Sequence, residues 1–236
     1  MAANRKLLAA AVACAAAIVG LTGCLGGDEE KDPFEGMSAD KIAKKAADTS
    51  KGAGSFKVTG EGKQDGKPLH VDFSVAKSGD CKGKMDGGAE DTAELLVSGD
   101  AQYMKGDEAF WKDAMGGSGS GGQASRLEGK WVKSPNAEGK SVCDADAMFQ
   151  SKDLKKLKRE KDSEVDGKKA AVLTKNKSGK KTTFYVSAEG KPYFLKVVTT
   201  GKEDPGTMNF SDYGKPVVVK APAPGDVMDM QELMKS

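Results

Sequence analysis

Histidine is almost missing from this chain, which has one, His70, among 236 residues. Its place between Leu69 and Val71 in an alternating run puts it with Asp72 and Ser74 on the polar face of a strand. One solvent-facing imidazole excludes His-based catalytic triads and His-rich metal sites together. Arginine is nearly as scarce: beyond residue 23 only Arg126 and Arg159 occur, every other base being lysine. Arginine forks dominate bidentate reading of phosphates and bases, so nucleic acid is disfavoured. There is also no surplus of either sign. The chain has 37 basic and 35 acidic side chains, and losing Arg5 and Lys6 with an N-terminal leader would leave the two in balance. No net field then draws in nucleic acid or anionic lipid. The G-x-S-x-G elbow, the phosphate-binding P-loop and the dinucleotide fingerprint are all missing. Acidic clusters at Asp28-Glu29-Glu30 and at Asp144 and Asp146 lack calcium-loop spacing. No cofactor and no metal site is expected.

A long apolar run is missing too, but a short one is informative. Arg5 and Lys6 precede Leu7 to Gly20, nearly all Ala, Leu, Val and Ile. That is shorter than the roughly 20 residues a permanent membrane helix needs, and it has the layout of a signal peptide. It ends in Leu21-Thr22-Gly23-Cys24, which resembles the bacterial lipobox. The resemblance implies cleavage after Gly23 and lipid attachment at Cys24. The expected organisation is a lipoprotein signal peptide over 1–23, a flexible tether over 24–37 and a single domain over 38–236. Two or more acyl chains anchor stably, because each buried methylene contributes about 0.8 kcal/mol. The expected location is the outer face of the cytoplasmic membrane.

Of four cysteines, Cys14 leaves with the leader and Cys24 takes the lipid. Cys81 and Cys143 remain, and in an exported chain they most simply form a disulfide.

Beyond the tether, Ser38 caps a helix with a narrow stripe of Ile42, Ala43, Ala46 and Ala47, ended by Gly52 and Gly54. The hydrophobic period then falls to two. Phe56 and Val58, then Leu69, Val71, Phe73 and Val75, alternate with polar residues around an Asp65-Gly66 hairpin turn. Further strands are expected at 81–85, 92–97 and 102–105. A helical insert with Phe110, Trp111 and Met115 follows, then a Gly-rich stretch at 116–122, Trp131, and short helices at 145–149 and 153–157. A second meander resumes with turns at Asp166-Gly167, Ser178-Gly179 and Glu189-Gly190. Its strands fall at 170–174, 182–187, 193–200, 208–213 and 217–219, and a terminal helix at 226–233. Evenly spaced glycine turns argue for one long curved antiparallel sheet, hence an α+β fold.

Among ten methionines, Met104, Met115, Met148, Met208, Met228, Met230 and Met234 fall in this domain. Methionine adapts to irregular apolar guests. The order of lipobox, tether, Gly-ended helix, Ser55-Phe56-Lys57-Val58-Thr59-Gly60-Glu61-Gly62, the Lys130-Trp131-Val132-Lys133 insert and Ser211-Asp212-Tyr213-Gly214-Lys215-Pro216-Val217 before Ala221-Pro222 resembles the LppX/LprAFG group of actinobacterial lipoproteins. That group's fold is similar to the lipoprotein carrier LolA. The resemblance implies an open antiparallel β half-barrel with helices covering the concave face and an apolar pocket for a lipid. The pocket wall is then expected from Phe56, Val58, Leu69, Val71, Phe73, Val75, Phe110, Trp111, Trp131, Phe184 and Leu195, with the aromatic insert as a lid. The implied function is binding or carriage of a hydrophobic ligand by a monomer, with no chemical step. The alternative is an envelope adaptor that binds another protein and has a filled core. A hydrolase built on paired carboxylates is the weakest reading.

Overall fold

The alternation of apolar and polar side chains continues through both halves of the chain, and the two halves build one sheet. The computed structural model describes residues 32–64, 66–88, 91–116, 121–135, 143–150, 154–202 and 204–230. The leader, Cys24, most of the tether, Asp65, residues 117–120 of the Gly-rich stretch and 231–236 lie outside the described residues.

Helix α1 (Ala39–Gly52) starts where the Ser38 hydroxyl accepts the Lys41 N–H, and buries Ile42, Ala43, Ala46, Ala47 and Ser50. Five strands follow: β1 (Phe56–Gln64), β2 (Lys67–Val75), β3 (Cys81–Asp86), β4 (Thr92–Ser98) and β5 (Ala101–Gly106). Helices α2 (Glu108–Ala114) and α3 (Gly121–Leu127) pack on each other and lead into β6 (Trp131–Pro135). A single turn, α4 (Ala145–Met148), precedes β7 (Lys158–Arg159), β8 (Ser163–Val165), β9 (Lys168–Lys177), β10 (Lys180–Ser187), β11 (Phe194–Thr200) and β12 (Gly206–Ser211). A 3₁₀ turn at Pro224–Asp226 then gives β13 (Val227–Asp229).

The strand order is β13-β6-β5-β4-β3-β2-β1-β12-β11-β10-β9-β7, with β8 also on β9. Every pairing is antiparallel except β13 on β6. The two meanders join at β1 and β12, where Val58 faces Phe210 and Gly60 faces Met208. Among the described residues the outer strands do not pair with each other, so the sheet stays open, as a half-barrel.

Positive φ values mark the turns that set the register. Asp166 and Gly167 have φ of 50° and 75°, and Ser178 and Gly179 have 51° and 76°. Two consecutive left-handed residues make the type I′ turn that suits a twisted hairpin. One face of the sheet is charged: Lys57 and Asp72 pair across β1 and β2 at 2.9 Å, and His70 is exposed on the same face. The other carries a continuous core of α1 together with Phe56, Val58, Phe73, Val75, Leu95, Val97, Leu173, Val186 and Phe194. Clean apolar-in, polar-out alternation is what an antiparallel sheet with one solvated face requires.

Several expected elements differ, beginning with the tether expected over 24–37: its last residues, 32–37, form a turn docked on the domain, with Phe34 buried in the core and Asp32 paired to Arg159. Of the terminal helix expected over 226–233, Val227–Asp229 form the edge strand β13 on β6 and 231–233 lie outside the described residues. No strand forms at Val217–Val219, and residues 154–156 make a bend instead of a helix. Gly121 and Gly122 open α3 instead of belonging to a linker.

Candidate functional site

Along the core face, β1 reads Phe56, Val58, Gly60, Gly62, and its apolar side chains stop halfway. The facing residues of β2 are Val75, Phe73, Val71 and Leu69, and those of β12 are Phe210, Met208 and Gly206. Three glycines, Gly60, Gly62 and Gly206, thus lie side by side where bulky residues would fill the floor. A Cβ on Gly62 would meet the Pro205 carbonyl oxygen at 2.7 Å and Gly206 Cα at 2.9 Å, so the close approach of β1 and β12 requires glycine there.

Above this patch is a half-open cavity of about 480 Å³, walled by Val58, Leu69, Val71, Phe73, Met85, Met148, Val197, Thr199 and Met208 and lined also by Glu61, Lys63 and Asp204–Thr207. Specific pockets for small ligands run about 300–1,000 Å³. A second space of about 290 Å³ shares Leu69 and Met85 with the first and continues past Phe110, with Lys67, Asp91 and Asp113 on its walls. Lys67 and Asp113 pair there at 2.6 Å.

The carboxylates at this end differ in character. Burial, then the negative charges of Asp107 and Asp113, raises the Asp91 carboxyl above the usual range. Burial pushes Asp107 the same way, yet donated hydrogen bonds outweigh it and hold the group low. Asp107 Oδ1 accepts the Phe110 N–H at 2.8 Å as the cap of α2, and Oδ2 accepts the Thr92 N–H at 2.7 Å. Among the described residues no cluster of three or more His, Cys, Asp or Glu is arranged to hold a metal ion.

Of the residues expected to wall a pocket, Val58, Leu69, Val71 and Phe73 line the larger cavity and Phe110 the smaller. Phe56, Val75 and Phe184 are packed into the core instead. Trp111 is 4 % exposed in a separate cluster with Ala124, Leu127 and Val132, so the α2–α3 insert forms its own small core. Trp131 stays half-buried on β6, with the Lys105 ammonium 5.8 Å from its ring centre.

Leu195 is displaced by a β-bulge. Tyr185 faces Lys196 but Val186 faces Phe194, so an extra residue sits in β11. Phe194 and Val197, which a regular strand would put on opposite faces, both reach the core side, and Leu195 does not line the cavity. Ser50 and Tyr213 hold this bulge: the Phe194 N–H donates to Ser50 Oγ at 3.2 Å, and the Tyr213 hydroxyl donates to the Phe194 carbonyl at 2.7 Å. Burial raises the Tyr213 hydroxyl well above its ordinary range. The rest of its stretch clamps β12 to the start of β1, since the Gly214 N–H donates to the Ser55 carbonyl and the Ser55 hydroxyl donates to that of Lys215.

Over the cavity lies α4, not the aromatic insert. Cys81 on β3 and Cys143 just before α4 are joined by a disulfide, with Cα atoms 5.8 Å apart. Met148 of α4 lines the cavity. Phe149 stacks on Phe194 at 5.6 Å and packs against Phe56 and Phe210. The expected wall did not include Met85, Met148, Val197 or Met208, although Met148 and Met208 were among the methionines singled out. The first and last were findable from strand phase opposite Val71 and Gly60; Met148 depends on a long-range crosslink and Val197 on the bulge.

The sequence matches no known protein family and no curated protein. Solved structures do match. LprF from Mycobacterium bovis superposes with a TM-score of 0.54 at 15% identity, over 78% of this chain and 97% of that one. The Mycobacterium tuberculosis lipoprotein LppX gives 0.50 at 16% identity, over 77% of this chain and 98% of its own. The chain has the LppX/LprF-like fold.

Proposed function

We propose that a protein with this fold, carrying a lipobox at Leu21–Cys24, is a lipid-anchored extracytoplasmic carrier that holds a hydrophobic ligand in the cavity over Gly60, Gly62 and Gly206. The anchor is an acylated Cys24, and the site of action is the outer face of the cytoplasmic membrane. The observation that carries this reading is the cavity itself: about 480 Å³ walled mainly by leucine, valine, phenylalanine and methionine. An adaptor needs no such void, and its solid interior is the feature the cavity argues against.

Exchange needs no bond to form or break. An acyl tail leaving a bilayer loses about 0.8 kcal/mol per methylene and regains a comparable amount on burial against apolar walls, at roughly 25 cal/mol per Å². The difference is small, so loading and unloading are reversible. Three methionines, Met85, Met148 and Met208, let the wall adapt to the chain it holds.

The test uses the full chain with Cys24→Ser, which removes its own acyl group. It is expected to take up an apolar fluorophore one to one, and Val71→Trp, which fills the cavity, is expected to weaken uptake at least tenfold with the circular dichroism unchanged. Uptake that is absent in the first protein, or equal in the second, would overturn the proposal.

A further inference from the structure

The balance of charge over the whole chain conceals a division. Between Lys155 and Lys202, the segment from β7 to β11, there are 14 basic and five acidic side chains; the rest of the chain after residue 23 has 21 basic and 30 acidic. An uneven distribution of charge steers and orients a molecule even where its total is balanced. The five acids of the basic half also keep away from one end of it. Glu164 faces Lys169 at the start of β9, the Glu189 carboxylate accepts the Lys169 N–H at 3.2 Å, and Asp166 is in the turn before β9. Glu160 accepts the Thr174 hydroxyl and Asp162 pairs with Arg159, both beside β7. At the opposite end, between Thr174 and Phe184, every charged residue is a lysine. Lys177 and Lys181 are exposed there and Lys180 is half-buried, around the Ser178-Gly179 turn.

This hairpin sits beside the rim of the cavity. A Cβ on Gly201 would lie 3.1 Å from the Gly179 carbonyl oxygen, so the β9–β10 tip touches the loop between β11 and β12. Lys180 pairs with Asp204 of that loop at 3.9 Å, and Asp204–Thr207 line the cavity. Lys202 is exposed on the same loop, and Lys63 lines the cavity from β1. The tether enters the domain on the basic half as well: Asp32 pairs with Arg159 of β7 at 3.4 Å, and the Phe34 ring centre is 5.7 Å from the guanidinium.

Resting on the lipid-anchored carrier reading above, we infer that the Lys177–Lys181 hairpin is a membrane-docking element that seats the cavity rim on anionic lipid headgroups. Lysines clustered beside a membrane anchor are drawn to an anionic leaflet. Lysine suits this partner, because an ammonium is a point charge that any phosphate satisfies, without the fixed geometry of an arginine fork. The same surface repels the acidic half. Attraction and repulsion together turn the hairpin, and the rim beside it, toward the bilayer. The anchor supplies proximity and the hairpin supplies orientation.

The deciding experiment anchors the acylated protein on vesicles of phosphatidylcholine, or of phosphatidylcholine with one-third phosphatidylglycerol. A fluorophore is attached at Asn176→Cys beside the hairpin tip, or at Ser78→Cys in the turn between β2 and β3 on the acidic half, both exposed positions. Quenching by lipid spin-labelled at the headgroup is read. On the anionic vesicles the label at position 176 is expected to be quenched at least threefold more than the label at 78. That excess is expected to vanish on phosphatidylcholine alone, in salt of about 1 M, where charges are screened within roughly 3 Å, and in Lys177→Glu/Lys181→Glu. The same reversal on the other half, Lys82→Glu/Lys84→Glu, is expected to keep it. Equal quenching of the two labels on anionic vesicles, or an excess that survives reversal at the hairpin, overturns the docking assignment. So does a label that responds to added polyglutamate and not to the vesicles, since an acidic protein is then the partner. Uptake of the apolar fluorophore by Lys177→Glu/Lys181→Glu is expected to match the parent. Failed docking with intact uptake therefore leaves the carrier reading standing, whereas absent uptake in the parent defeats that reading.

Discussion

Asp91 and Asp107 are neighbours at the α2 end of the cavity, yet the fold treats their charges in opposite ways. Asp107 receives backbone N–H groups from Phe110 and Thr92 and the Thr92 hydroxyl. Its depressed folded value means it stabilises the fold above the ordinary carboxylate value of 3.8, and that contribution is lost as pH falls through the lower folded value. Asp91 is raised by burial and by its negative neighbours, with Lys67 opposing in part. Protonation therefore favours the folded form, and ionised Asp91 costs stability at neutral pH, a cost that disappears as pH falls to 3.8 and below. The expected outcome is that Asp91→Asn raises the urea midpoint at pH 7 and the gain shrinks on acidification. Asp107→Asn should lower the midpoint at pH 7 and converge with the parent at low pH. Two denaturation series against pH check both signs. The Asp107 cap is local and so readable from the sequence, whereas the sign at Asp91 is not, because its burial is made by strands and helices distant in the chain.

Among the elements, legibility follows the range of the interactions. The α1 stripe, the β1–β2 hairpin and the Asp166-Gly167 and Ser178-Gly179 turns are set by residues within a few positions of one another, and the structure places them as expected. Strand β11 is different. Its alternation pointed Leu195 inward, but the bulge opposite Val186 shifts the phase, and only contacts from α1 and from the segment after β12 hold it. Ser50 and Phe194 are 144 positions apart in sequence. Tyr213→Phe removes the hydroxyl that the Phe194 carbonyl accepts and should destabilise the fold by about 1 kcal/mol, the usual worth of a neutral hydrogen bond. Ser50→Ala leaves the Phe194 N–H without its acceptor in a fully buried setting, and should cost about 1–3 kcal/mol. Chemical denaturation of both variants checks the ranking. If Ser50→Ala proves neutral, the bulge is held without the Ser50 bond, by the Tyr213 hydroxyl and packing. The same distance rule explains why the cover of the cavity was misassigned: Phe110 and Trp111 announce themselves as an aromatic insert, whereas α4 is a four-residue turn whose position depends on a crosslink spanning 62 residues.

For the molecule as a whole, the strand order follows from two meanders joined at β1 and β12, and most of it was visible in the spacing of glycine turns. What the pattern could not give is how much of the core face stays empty, since emptiness comes from three glycines on two strands meeting side by side. The proposed work of the whole chain then depends on two parts acting together: an anchored Cys24, and a cavity that must reach the bilayer surface to exchange its cargo. From Asp32 the chain is already docked on the domain through the buried Phe34, so only the seven residues Leu25–Lys31 act as tether, with a reach of about 25 Å at about 3.3–3.6 Å per residue. Deleting residues 26–31 would cut that reach by more than half while keeping the docked turn that begins at Asp32. The expected result is that the acylated, shortened protein loads from a dispersed single-chain lipid at the parent rate, but extracts the same lipid from the vesicles that hold it several-fold more slowly. Stopped-flow fluorescence with a labelled lipid measures both rates. Equal extraction rates would mean that cargo arrives through solution and that the tether serves only to retain the protein at the surface.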